Sequence, residues 1–96
     1  MMRHAYEVNF KALCPNDHNI VDNYVLRVTL TIEDPMVDNK IMVEELISFT
    51  ESFEKTPIYQ EDLLGKMVNK YPGCEIYLSG YHLGVLIESE YAEEQK

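Results

Sequence analysis

The sequence predicts an α+β fold, a four-stranded antiparallel sheet with two helices on one face in the order ββααββ. Three observations point to it. Two early segments alternate apolar and polar residues, the middle of the chain switches to helical spacing, and the last third returns to alternation. The connection between the first two strands is too short for a parallel crossover, so they pair antiparallel. One apolar sheet face and two one-sided helices then bury each other in two layers.

From His4 to Cys14, Tyr6, Val8, Phe10, Ala12 and Cys14 share one face, and Glu7, Asn9 and Lys11 the other. That is a strand with one buried face. Pro15 to Asn23 is dense in residues that form turns through their own side chains and reads as a loop. Alternation resumes from Tyr24 to Glu33, with Tyr24, Leu26, Val28, Leu30 and Ile32 pointing one way. A second loop, broken by Pro35, covers Asp34 to Lys40. The first helix then runs from Ile41 to Phe53, with Met42, Leu46, Phe49 and Phe53 on its apolar face, widened by Val43 and Ile47.

The second helix is the most strongly marked element. Between Thr56 and Gly73, Thr56 suits the N-cap and Pro57 the first helical position, while Pro72-Gly73 stops the helix. Tyr59, Leu63, Leu64, Met67, Val68 and Tyr71 form one stripe. Glu61 and Asp62 sit where the helix dipole favours carboxylates, and Lys66 and Lys70 lie toward the other end. Cys74 to Leu78 is a short strand, Ser79-Gly80 the expected turn with Gly84 as the alternative, and Tyr81 to Glu90 the last strand. Leu83, Val85 and Ile87 share a face there.

Ninety-six residues, 46% of them apolar, make a single domain over 1–96, with an ordered core at about 4–91 and a solvated tail at 92–96. The 17 acidic residues against 8 basic ones give a net charge of −9. Such a field repels nucleic-acid backbones and anionic lipid, which disfavours direct nucleic-acid or membrane-surface binding. No apolar run approaches the ~18 residues of a membrane span, and Met-Met-Arg-His-Ala-Tyr-Glu lacks the apolar core of a signal peptide. A cytoplasmic, reducing location is expected, with Cys14 and Cys74 as free thiols. His4, His18 and His82 are scattered without paired spacing, so no metal site is expected.

The element order from Tyr6 to Glu90 resembles the tunnelling fold of pterin and purine enzymes. That group includes dihydroneopterin aldolase, 6-pyruvoyl-tetrahydropterin synthase, GTP cyclohydrolase and the nitrile reductase of queuosine biosynthesis. Gln60-Glu61-Asp62-Leu63-Leu64 is similar to the start of that fold's second helix, where a glutamate anchors the ring; the resemblance implies this role for Glu61. A carboxylate can accept two parallel hydrogen bonds from a ring N–H and its adjacent amino group. Phe10-Lys11-Ala12-Leu13-Cys14-Pro15 resembles the Phe-x-x-Leu-Cys-Pro of the nitrile reductases, whose cysteine attacks the nitrile while a following aspartate moves protons. By that resemblance Cys14 and Asp22 are the candidate catalytic residues, with Asp22 or His18 as a neighbouring base. Asp22 lies one residue farther from the cysteine than the family spacing, and no Lys-Ser-rich segment follows the second strand, so no cofactor is expected.

Gly84-Val85-Leu86-Ile87-Glu88-Ser89 resembles the last strand of the aldolases, and a last-strand glutamate grips the ring in the pyruvoyl synthases. Glu88 is thus a second candidate ligand-binding residue, although alternation sets it opposite Val85 and Ile87. Active sites of the tunnelling fold lie between subunits, so the resemblance implies a homo-oligomer. The expected function is binding of a pterin- or purine-like ring, as a minimal enzyme or a degenerate relative. The alternative is a non-catalytic acidic protein, such as an inhibitor, bound to a basic nucleic-acid-binding protein surface. Its support is the acidic helix face of Glu44, Glu45, Glu51, Glu54, Glu61 and Asp62.

Overall fold

The computed structural model describes residues 2–32 and 39–92. Its elements are β1 (Met2–Leu13), β2 (Val21–Ile32), α1 (Asn39–Glu51), α2 (Gln60–Lys70), β3 (Glu75–His82) and β4 (Val85–Tyr91). The strands form one antiparallel sheet in the spatial order β1-β2-β3-β4. The fold class is therefore the α+β arrangement expected. The continuation of the second strand to Glu33, most of the loop from Asp34, and the tail beyond Ala92 lie outside the described residues.

The alternating faces of β1 and β2 set the core. In register, Phe10 opposes Tyr24, Val8 opposes Leu26 and Tyr6 opposes Val28. Phe10, Ala12, Tyr24, Leu26, Val28, Ile76 and Leu78 are buried against Leu46, Leu63 and Met67 of the helices, so both helices lie on one sheet face. Phe53, Ile58 and Tyr71 close the core just outside the helices. Val43 and Ile47, expected to widen the apolar face of α1, are instead exposed, because the stripe through Leu46 already covers the neighbouring sheet.

Three local expectations are corrected. The second helix does not begin at Thr56-Pro57. Leu13 N–H donates to the Thr56 carbonyl at 3.0 Å and Ile58 N–H donates to the Leu13 carbonyl at 3.2 Å, so Thr56 to Ile58 runs extended beside the end of β1. Those tertiary hydrogen bonds outweigh the local cap chemistry. Tyr59 becomes the N-cap, in extended conformation and without a side-chain cap, and is exposed rather than part of the apolar stripe. At the other end, Pro72-Gly73 does stop the helix, with Gly73 at φ +80°.

The β3–β4 turn is at Leu83-Gly84 and not at Ser79-Gly80. Both turn residues have positive φ, +54° and +84°, as a two-residue hairpin loop of the right twist requires. Ser79 and Gly80 are buried inside β3, where Gly80 opposes Tyr24 on β2 and Ile87 on β4. Val85 and Ile87 keep the helix-side face of β4, yet both are exposed along this edge strand, and Leu83 protrudes from the turn. Asp22 and Asn23, read as loop, are already in β2, which places the Asp22 side chain on the buried face two residues before Tyr24.

Candidate functional site

The same bridge that delays α2 builds the site. By holding Leu13 against Thr56 and Ile58, it sets Cys14, the residue after β1, beside Gln60 and Glu61 at the start of α2. Cys14 N–H donates to the Ile20 carbonyl at 2.9 Å, and Asp17 turns the loop by accepting from Ile20 N–H through its carbonyl and from Asn19 N–H through its side chain. The chain then re-enters the sheet at β2 and brings Asp22 back opposite Ala12.

A cavity of about 220 Å³ opens where these segments meet the β3–β4 hairpin. Cys14, Asp22, Tyr59, Gln60, Glu61 and His82 supply its polar lining, and Leu83 and Ile87 part of its apolar wall. Three of the four residues singled out from sequence, Cys14, Asp22 and Glu61, thus share one cavity. Glu88 does not. It lies on the opposite sheet face, where Tyr77 donates its hydroxyl to Oε1 at 2.8 Å; this bond pushes the Tyr77 phenol above its ordinary value. His18, the alternative neighbouring base, is exposed in the loop and does not line the cavity. Two wider depressions, of about 500 and 740 Å³, contain no cysteine or histidine in their linings.

Two residues that sequence reasoning passed over, Gln60 and His82, organise the floor. The Gln60 amide nitrogen reaches the carbonyls of Ile87 at 3.0 Å and Leu78 at 3.3 Å and the Ser89 hydroxyl at 3.1 Å. Because the carbonyls can only accept, this end must be the NH₂, and Oε1 therefore faces His82 Nε2, 2.7 Å away. His82 Nε2 must carry a hydrogen to donate there. Its other nitrogen, Nδ1, stands 3.3 Å from Oδ2 of Asp22, whose side chain is 2% exposed. That approach is an ion-pair distance rather than a well-aligned hydrogen bond, and Oδ2 has no hydrogen-bond partner among the described residues.

Tyr24 completes the surroundings from below. Its ring stacks on Phe10, with centroids 5.3 Å apart, and meets His82 edge-on at 5.6 Å. Burial first, and then the nearby Asp22, Cys14 and Glu61, push its phenol well above the ordinary value, so it remains a neutral O–H. Beyond the cavity mouth, Tyr59 donates its hydroxyl to the Asn16 side chain at 3.2 Å, tying the loop to the start of α2.

The signal for Gln60 was present in the sequence. It lies three residues before Leu63 and seven before Met67, a polar side chain on the buried stripe of α2, and a buried amide needs partners. His82 carried no such mark. Among the described residues, no three His, Cys, Asp or Glu side chains gather as a metal site. No described helix is long and apolar enough to cross a membrane. On the helix surface, Glu44 and Glu45 pair with Lys40 and Lys70, at 4.0 and 2.7 Å, which interrupts the acidic row.

No protein-family model matches the chain, and no curated protein matches it at a significant level. Among solved structures it resembles the crystal structure of the archaeosine synthase QueF-Like in its apo form. The two superpose with a TM-score of 0.67 over 97% of this chain and 96% of that one, at 20% sequence identity. The chain therefore shares the fold of that archaeosine synthase over nearly its whole length.

Proposed function

We propose that the chain binds a pterin- or purine-like ring, a deazaguanine included, in the cavity between Cys14 and Glu61. The observation that carries this reading is the convergence of Cys14, Asp22 and Glu61 on one cavity in a fold shared with a protein named for archaeosine synthesis. Glu61 accepts a ring N–H and its adjacent amino group through two parallel, charge-assisted hydrogen bonds. The half-buried Cys14 thiol adds to a multiply bonded, electrophilic carbon carried by the ring: the C–S bond forms as a π bond from that carbon to nitrogen or oxygen opens, and Asp22 passes the thiol's proton to that heteroatom.

The size and charge of the cavity narrow the ligand. At about 220 Å³ it is smaller than the roughly 300–1,000 Å³ of sites for drug-sized molecules, which suits one bicyclic ring. Among the described residues no lysine or arginine lines it, so none of them neutralises a phosphate chain there. An unphosphorylated, donor-rich ring is the fitting class. The exposed β4 edge, with Leu83, Val85 and Ile87 beside the cavity, suits closure against a second subunit in a homo-oligomer.

Light scattering on a sizing column, followed by a thermal-shift screen of pterins, guanine and deazaguanines on the same sample, tests this. A closed ring of subunits stabilised by one of these compounds is expected. A monomer that none of them stabilises overturns the reading.

A further inference from the structure

We propose that Asp22 and His82 form a proton-sharing pair, oriented by Gln60, that sets the reactivity of Cys14. This rests on the reading of the Cys14 cavity as the working site, and adds to it a positioning residue on β3 and another on α2. The geometry leaves little freedom. Gln60 is fixed by acceptors on β3 and β4, its Oε1 demands a hydrogen on His82 Nε2, and Nδ1 is left facing Asp22 Oδ2. If Asp22 is a carboxylate, His82 is an imidazolium; if His82 is neutral, Asp22 carries the hydrogen that Nδ1 accepts. In both arrangements the pair as a whole is neutral, whereas an ionised Asp22 beside a neutral His82 would set the carboxylate against the Nδ1 lone pair at 3.3 Å.

That neutrality matters to the thiol in the same cavity. An uncompensated Asp22 anion would oppose a thiolate at Cys14, whereas an uncompensated His82 cation would favour one. The other titratable groups around the pair are the buried Tyr24 hydroxyl on β2, the Cys14 thiol after β1, the Tyr59 hydroxyl ahead of α2 and the Glu61 carboxylate on α2. From β4 the cavity receives Ile87 and the Ser89 hydroxyl, with no charge. Gln60 acts only through His82, by holding one ring nitrogen protonated and the ring turned toward Asp22.

Two readouts on the intact chain test the pair, and neither needs a ligand. NMR of isotope-labelled imidazole nitrogens should show His82 with a protonated Nε2 and an Nδ1 signal that moves on Asp22→Asn, unlike those of half-buried His4 and exposed His18. The pH profile of Cys14 alkylation by iodoacetamide, read at the Cys14 peptide by mass spectrometry, should move in opposite directions in the two single variants. At neutral pH His82→Gln should slow alkylation by roughly three- to tenfold, Asp22→Asn should leave it equal or faster, and the double variant should return toward the wild type. A loosened structure would shift both variants the same way, so parallel shifts overturn the proposal. So does a His82 ring that exchanges freely between tautomers and ignores Asp22→Asn, a result the wild-type spectrum already begins to decide. A coupled pair in a protein that binds no ring compound would remove the ligand reading while leaving the pair in place.

Discussion

Tyr24 occupies the space that a side chain on Gly80 would need. A Cβ built at Gly80 would stand 2.5 Å from Tyr24 Cε1 and 2.8 Å from Gln60 Oε1. The absence of a side chain in the middle of β3 is therefore what lets the Tyr24 ring lie across the β2–β3 pair and lets Gln60 reach His82.

Gly80→Ala is expected to destabilise the protein by about 1–3 kcal/mol, the usual cost of overpacking a closed site. Urea denaturation followed by circular dichroism measures it. Because the clash falls on Tyr24 and Gln60 together, the His82 ring signals should shift as well. A variant as stable as the wild type, with those signals unmoved, would contradict the packing described.

Leu83 holds a left-handed conformation at φ +54° in the hairpin turn, beside Gly84 at +84°. A branched, apolar residue is poorly suited to that region, whereas asparagine tolerates it. Leu83→Asn should raise stability by about 0.5–1 kcal/mol. Gly84→Ala should lower it by a similar or larger amount. Since Leu83 also lines the cavity, the thermal-shift screen run on Leu83→Asn separates strain tolerated for ligand contact from strain without a role.

Glu61 and Glu88 make a matched contrast. Loss of a bidentate, charge-assisted contact costs on the order of 2–3 kcal/mol, so Glu61→Ala should weaken ring binding by roughly 30- to 150-fold with the fold intact. Glu88→Ala removes only an exposed hydrogen bond to Tyr77 on the far sheet face, and affinity should stay within about twofold. Isothermal titration with whichever ring compound stabilises the protein reads both. Equal losses in the two variants would move the ligand to the other side of the sheet.

Alkali should unfold the protein through its buried tyrosines. Burial, with Glu45 and Cys74 nearby, pushes the Tyr71 phenol from 10.0 up to about 12, and Tyr24 is raised in the same sense. Below pH 10 both folded and unfolded phenols are neutral, and this contribution to stability is fully present. Between pH 10 and 12 the unfolded chain loses the proton first, so stability falls as pH rises through that window. Denaturation midpoints across the window, with phenolate absorbance on the same samples, should show this decline. Tyr71→Phe should flatten part of it.

Much of the architecture was legible because it rests on long patterns. The alternation of Tyr6, Val8, Phe10 and Ala12, answered by Tyr24, Leu26 and Val28, specifies a register that a one-residue slip would turn inside out. The errors came from short signals. Thr56-Pro57 has good local chemistry for a helix start, but its backbone is drawn into hydrogen bonds with Leu13, a partner more than forty residues away. Ser79-Gly80 looks like a turn, yet Gly80 is needed for close approach by Tyr24 rather than for its backbone freedom. Around the cavity, Cys14, Asp22 and Glu61 stood near recognisable local patterns. His82 reaches them only through the register of β3 against β2 and the depth of Gln60, neither of which a one-dimensional pattern records.

The bridge between Leu13 and the segment ahead of α2 has a further consequence for redesign. It is made of main-chain groups alone, so the spacing between residue 14 and residue 61 does not depend on which side chains stand there. Both positions can be randomised while the scaffold keeps the gap between them. This small chain is accordingly a suitable starting point for selecting new nucleophile and anchor combinations.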